Sequence, residues 1–124
     1  MTRSNYATAL LNLKHYTEAK ALLRKVTPVA QRILGKSDRL TLKMRWNYAI
    51  TLYKDDGATL DDLRESVSTL EDTERVARRV LGGAHPLTTQ MEQALQQARA
   101  ALRARETPPT DARQDRDMDE VENA

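Results

Sequence analysis

Apolar residues recur at helical spacing through most of the chain. From Leu60 to Leu81 they fall at Leu60, Leu63, Val67, Leu70, Ala77 and Leu81, three, four or seven apart, on one stripe of a helix. The preceding stretch repeats the plan with Tyr16, Ala19, Leu23, Val26, Ala30 and Leu34. Three further stretches complete the series: Arg3 to Leu13, Arg39 to Lys54, and Pro86 to about Glu106 before Pro108-Pro109. Five helices are therefore expected. Their boundaries carry chemical reasons. Thr59 with Asp62 forms the spacing of a capping box, with Asp in place of Glu. Asp61 and Asp62 suit the positive end of that helix, and Arg78 and Arg79 its negative end. Ser37 or Asp38 can cap the third helix, Pro86 suits the first turn of the fifth, and Gly35 and Gly82-Gly83 are stop signals. Pro28 is the misfit. Inside a helix proline costs on the order of 3 kcal/mol, which predicts a kink or break near Thr27.

The pattern repeats itself. Asn5-Tyr6-Ala7 and Leu10 recur 42 residues later as Asn47-Tyr48-Ala49 and Leu52. Glu18, Leu23, Ala30, Arg32, Leu34 and Gly35 recur 47 residues later as Glu65, Leu70, Ala77, Arg79, Leu81 and Gly82. Thr41 and Met44 continue that second spacing as Thr88 and Met91. The change of spacing places an insertion of five residues near Lys54-Asp55-Asp56-Gly57-Ala58, where a loop tolerates it. Two and a half repeats are fewer than the roughly three that such arrays need for stability. The expectation is one end of a longer array, a unit that pairs with itself, or a marginally stable fragment without function of its own.

Composition narrows the chemistry. With no cysteine, the chain has no disulfide framework, thiol nucleophile or cysteine-containing zinc site. That fits a reducing, cytoplasmic setting. No apolar run approaches the roughly 20 residues of a spanning helix, and no secretory signal follows Met1. Glu18 is the sole acid among the first 37 residues, a bias shared with mitochondrial presequences, although the repeat gives those residues a better-defined task. The net charge of +2 is unevenly spread: residues 107–124 hold six acids against Arg113 and Arg116. That segment therefore carries −4 and residues 1–106 carry +6. Residues 1–106 are read as the helical domain and residues 107–124 as a disordered acidic tail. A basic body with an acidic tail predicts an acidic partner, or a tail that screens the body.

Catalytic arrangements are missing from this pattern. His15 and His85 have no neighbouring nucleophile-and-carboxylate set and no metal-ligand spacing. His85 is expected to fix a turn. Asp55-Asp56-Gly57 lacks the alternating acids and terminal Glu of a calcium loop, and Gly82-Gly83 lacks the lysine of a phosphate loop. Glu71, Asp72 and Glu74 are read as a solvated face. No enzyme activity, metal or cofactor is expected.

The residues resemble a known family. Asn-Tyr-Ala followed by His15-Tyr16-x-Glu18-Ala19-x-x-Leu22-Leu23, and then Ala30-x-Arg32-x-Leu34-Gly35, are similar to the long tetratricopeptide repeats of kinesin light chains. Leu81-Gly82-Gly83-Ala84-His85-Pro86 resembles that family's signature between repeats. The likeness spans about Asn5 to Glu106. It departs at Lys14, where the family has Gly, at Ser66 in place of Ala, and at Gly35–Arg39, which lacks His-Pro. The family's heptad coiled coil is absent from this sequence.

The resemblance implies antiparallel helix pairs stacked as a short right-handed solenoid, with the first helix of each pair lining a concave groove. It implies a scaffold or adaptor that binds a partner peptide or helix there, with no motor function carried over. The groove positions would be Asn5 and Asn12 on the first helix, and Lys43, Trp46, Asn47, Ile50, Tyr53 and Lys54 on the third. Trp46 and Tyr53 fit packing between helices at least as well as ligand anchoring. Asn47 suits either role. Nucleic-acid backbone is the rival partner for a +6 body, but the cations are interleaved with acids and no base-stacking pattern accompanies them.

Overall fold

A computed structural model of the protein describes residues 15–106. Those residues form four α-helices: α1 (Tyr16–Leu34), α2 (Arg39–Lys54), α3 (Leu60–Leu81) and α4 (Pro86–Glu106). They are the second to fifth of the five expected helices, and the described residues contain no strand. The expected first helix and the acidic tail lie outside the described residues. Connections of four, five and four residues turn each helix back along the one before it. Consecutive helices pack together, and α2 also touches α4.

The boundaries follow from local chemistry. Thr59 accepts from the Asp62 amide and Asp62 accepts from the Thr59 amide, each at 3.0 Å, so the capping box closes with Asp in the Glu position. Gly35 and Gly82 end α1 and α3 with φ of 92° and 94°, a region that a Cβ disfavours. Their amides return to Gln31 and Arg78 four residues back.

The two turns repeat bond for bond at the 47-residue spacing. Asp38 N–H donates to the Gly35 carbonyl as His85 N–H does to that of Gly82. Asp38 Oδ1 accepts from the Leu40 amide at 2.8 Å, and His85 Nδ1 accepts from the Leu87 amide at 3.0 Å. The first turn lacks His-Pro because a carboxylate does the work of the imidazole. Accepting at Nδ1 places the neutral ring's hydrogen on Nε2. Arg39, 3.5 Å from Nε2, therefore meets a second donor rather than an acceptor.

Of the kink or break expected near Thr27, the break does not occur. The α1 helix runs unbroken from Tyr16 to Leu34 with Pro28 inside it. Its ring is exposed, while Val26, Thr27 and Ala30 around it are buried. The carbonyl that loses its amide partner belongs to Arg24, an exposed residue. One lost bond is a smaller cost than unpacking the three buried neighbours.

Three apolar clusters make the core, and α2 contributes to each. Met44, with Tyr48, meets Leu23, Val26 and Ala30 of α1. Leu42 meets Val76, Ala77, Leu87 and Met91, and Ala49 meets Leu70, Ala94, Leu95 and Ala98. Ser66, where the repeat pattern would hold Ala, is fully buried and donates to the Ala49 carbonyl at 2.8 Å. The repeat also distinguishes the ends of the stack. Leu42, Ala49 and Leu52 are fully buried, but 47 residues later stand Thr89, Gln96 and Arg99, all exposed. Thus α4 offers a polar outer face. At the other end Val29, Leu34 and Leu40 are partly exposed, whereas their equivalents Val76, Leu81 and Leu87 pack under Leu42 and Trp46.

The equivalence of the two turns is testable by urea unfolding. His85→Ala should lose about 1 kcal/mol, the usual worth of a cap, whereas His85→Asp, copying Asp38, should lose clearly less. Equal losses would mean that the side-chain acceptor does not hold the turn.

Candidate functional site: a groove stripe and a basic cleft

The six expected groove residues of α2 separate into two sets. Lys43, Asn47, Ile50 and Lys54 lie four, three and four apart, on one stripe. Both lysines are exposed, and neither has an ion-pair partner among the described residues. Ile50 is half-buried and Asn47 is buried, at 7% exposure, so only the edge of Asn47 is open to a ligand. Trp46 and Tyr53 turn instead into the junction of α2, α3 and α4, packed against Leu70, Ala94 and Leu95. Tyr53 O–H donates to Gln97 Oε1 at 2.8 Å, and burial, with Tyr16 nearby, pushes its hydroxyl pKa up to about 12. The indole Nε1 of Trp46 is buried and has no hydrogen-bond partner. Asn5 and Asn12 lie outside the described residues.

A second feature was not visible in the sequence. Between α1 and α3 lies a cleft of about 710 Å³, floored by Arg45 and Tyr48 of α2. Arg24, Gln31 and Arg32 of α1 and Lys36 of the first turn line one side, with Glu65 and Thr69 of α3 on the other. The cleft exists because α1 and α3 each pack on α2 rather than broadly on each other. Ion pairs bridge them instead: Lys20–Asp62 at 3.7 Å, Arg24–Glu65 at 3.8 Å and Lys36–Asp72 at 3.5 Å. At Thr69, between the last two rungs, the ladder has no charge on α3.

Hydrogen bonds order the floor. Arg24 Nη2 donates to Tyr48 Oη at 2.9 Å, and Tyr48 O–H donates to Glu65 Oε2 at 2.7 Å. Burial and the Glu65 bond raise the Tyr48 hydroxyl above its ordinary range, with Arg24 opposing them. Asp72 accepts from Arg45 at 2.8 Å and pairs with Lys36 and Arg75 as well. Three cations thus share one carboxylate. Arg32 has no ion-pair partner among the described residues. Arg45 Nη1 and Thr27 Oγ1, both from residues lining the cleft, are buried without a hydrogen-bond partner.

The expectation that Glu71, Asp72 and Glu74 form a plain solvated face needs correction. Glu71 pairs with Arg99 of α4, Glu74 with Arg78, and Asp72 with the cleft cations. All three are only partly exposed; Glu71 ties α3 to α4, Asp72 ties it to α2 and the first turn, and Glu74 bonds within α3. Among the described residues no group of three or more His, Cys, Asp or Glu side chains could hold a metal ion, and no helix is long and apolar enough to cross a membrane.

The Arg45 bond holds the Asp72 carboxyl below its ordinary range, and the Thr59 amide does the same for Asp62. A carboxylate depressed by folding stabilises the fold above its unfolded pKa, near 4, and that contribution is lost as pH falls through the folded value. Urea midpoints should therefore fall from about pH 6 to about pH 3. Asp72→Asn should start less stable at the upper pH and lose less over the descent. With Asp72 partly exposed the difference should stay below about 1 kcal/mol. Parallel pH profiles would contradict the assignment.

Comparison with protein-family models, with curated proteins and with solved structures returns no match.

Proposed function

We propose that the chain is a non-catalytic helical-repeat module of the tetratricopeptide type, similar to that of kinesin light chains, that holds a protein partner along α2. The observation carrying this reading is the identity of the two turns at Gly35–Asp38 and Gly82–His85, which repeat the same backbone bonds and the same side-chain cap 47 residues apart. Stacks of such units offer extended surfaces on which other chains lie. The step from stack to binding is a fold-level analogy, and the charges on α2 give it a site. Lys43 and Lys54 stand eleven residues apart, about 16 Å along the helix. Ile50 and the edge of Asn47 lie between them. Carboxylates about five residues apart in an extended peptide would meet both lysines. In this reading the partner is a protein or peptide, the setting is the cytoplasm, and association with further repeats or with a second copy uses the apolar end at Val29, Leu34 and Leu40.

Nucleic acid is the weaker reading because much of the positive charge on α1 is matched by α3. Lys20, Arg24 and Lys36 each face a carboxylate.

Lys43→Glu with Lys54→Glu should abolish capture of protein partners from lysate while leaving helicity unchanged, since neither lysine has an ion-pair partner among the described residues. An unchanged set of captured proteins would remove the α2 stripe from the proposal. Captured nucleic acid that is lost steeply as salt rises would favour the phosphate-binding reading.

A further inference from the structure

The α1–α3 cleft keeps a small excess of positive charge and lies apart from the α2 stripe. Arg24, Arg32, Lys36 and Arg45 line it, with Glu65 as its acid and Asp72 at its edge. The end of α4 is held close to the same helix. Arg105 donates to the Ala58 carbonyl at 2.7 Å, and Arg64 lies 3.7 Å from Glu106. The chain therefore leaves α4 beside the N-terminal end of α3. Arg64 is on the α4 side of that helix, and the next residue, Glu65, is on the cleft side.

The sequence beyond Glu106 has a suitable order. Thr107-Pro108-Pro109-Thr110 is uncharged, and Asp111, Asp115, Asp117, Asp119, Glu120 and Glu122 come after it, with Arg113 and Arg116 among them. Four residues in a proline-rich extended conformation reach about 12 Å, the diameter of a helix with its side chains. Passing round α3 takes about half its circumference, roughly 16–19 Å, so about six residues cross it and the acids from Asp115 onward reach the cleft. Eighteen residues are more than sufficient to reach Lys36.

From this exit point, spacing and charge we propose that residues 107–124 dock in the α1–α3 cleft, their carboxylates meeting Arg32, Lys36 and Arg45. Arg32, which has no ion-pair partner among the described residues, is the cation that the helices leave for the segment. Covalent attachment makes the docking unimolecular, at an effective concentration on the order of mM. An acidic partner of the cleft then competes with the chain's own tail, independently of what binds the α2 stripe.

Zero-length cross-linking of carboxylates to lysines in the full chain tests this, read by mass spectrometry with Lys36–Asp72 as the internal reference. Lys36 should link to acids between Asp115 and Glu122, at a yield unchanged by dilution. The yield should fall several-fold when salt rises from about 0.05 M to about 0.5 M, and also in Arg32→Glu. In a second measurement, Asp115→Asn with Asp117→Asn and Asp119→Asn should shift the amide resonances of Arg32, Lys36 and Thr69 while leaving those of α4 in place. Tail links spread evenly over Lys25, Lys43 and Lys54 would overturn the proposal. So would links found only between isotopically labelled and unlabelled copies, or cleft resonances that do not move.

Discussion

Leu42 and Ala49 of α2 are fully buried against α3 and α4, while Met44 and Tyr48 of the same helix pack on α1. Each large side chain buried in this way contributes roughly 1.5–3 kcal/mol, and no other helix takes part in all three clusters. The short connections fix the order of the helices, and α2 fixes where they meet. Ser66 belongs to the same constraint. Its hydroxyl reaches the Ala49 carbonyl only because the two helices approach closely at small residues.

Both candidate surfaces are what this packing leaves over. Lys43 and Lys54, at the two ends of the stripe, are exposed, whereas Asn47 between them is buried and Ile50 half-buried. The cleft arises because α1 and α3 both spend their apolar stripes on α2 and face each other through charge. Polar residues cover the outer face of α4, in contrast to the exposed Val29 and Leu34 of α1 and Leu40 of α2. The fold is thus directional.

The helices were legible because their ends are local chemistry. Thr59, Asp62, Asp38, Pro86 and the two positive-φ glycines each act within a few residues of their own position. Pro28 does not break α1, although its local cost is real, because three buried neighbours outweigh it. Packed on several sides, α2 spreads its apolar residues around its circumference. Trp46 and Tyr53, for which the sequence left two roles open, pack against the cluster between α3 and α4. The cleft was illegible because Arg24, Lys36, Arg45 and Glu65 come from four segments with no shared spacing, and each alone reads as solvated charge. Turn equivalence was half legible. His85 stood out by its signature, whereas Asp38 needed its bond to Leu40 to be recognised as the counterpart.

Native-state hydrogen exchange along the chain tests the organisation around α2 most directly. If α2 holds the stack, amides from Met44 to Leu52 should exchange only through global unfolding, and their opening free energy should equal that measured by urea. Amides near the exposed end of α1, from Arg32 to Leu34, should open earlier. Exchange of the α2 amides as fast as that end, with α3 and α4 still protected, would contradict the central place given to α2.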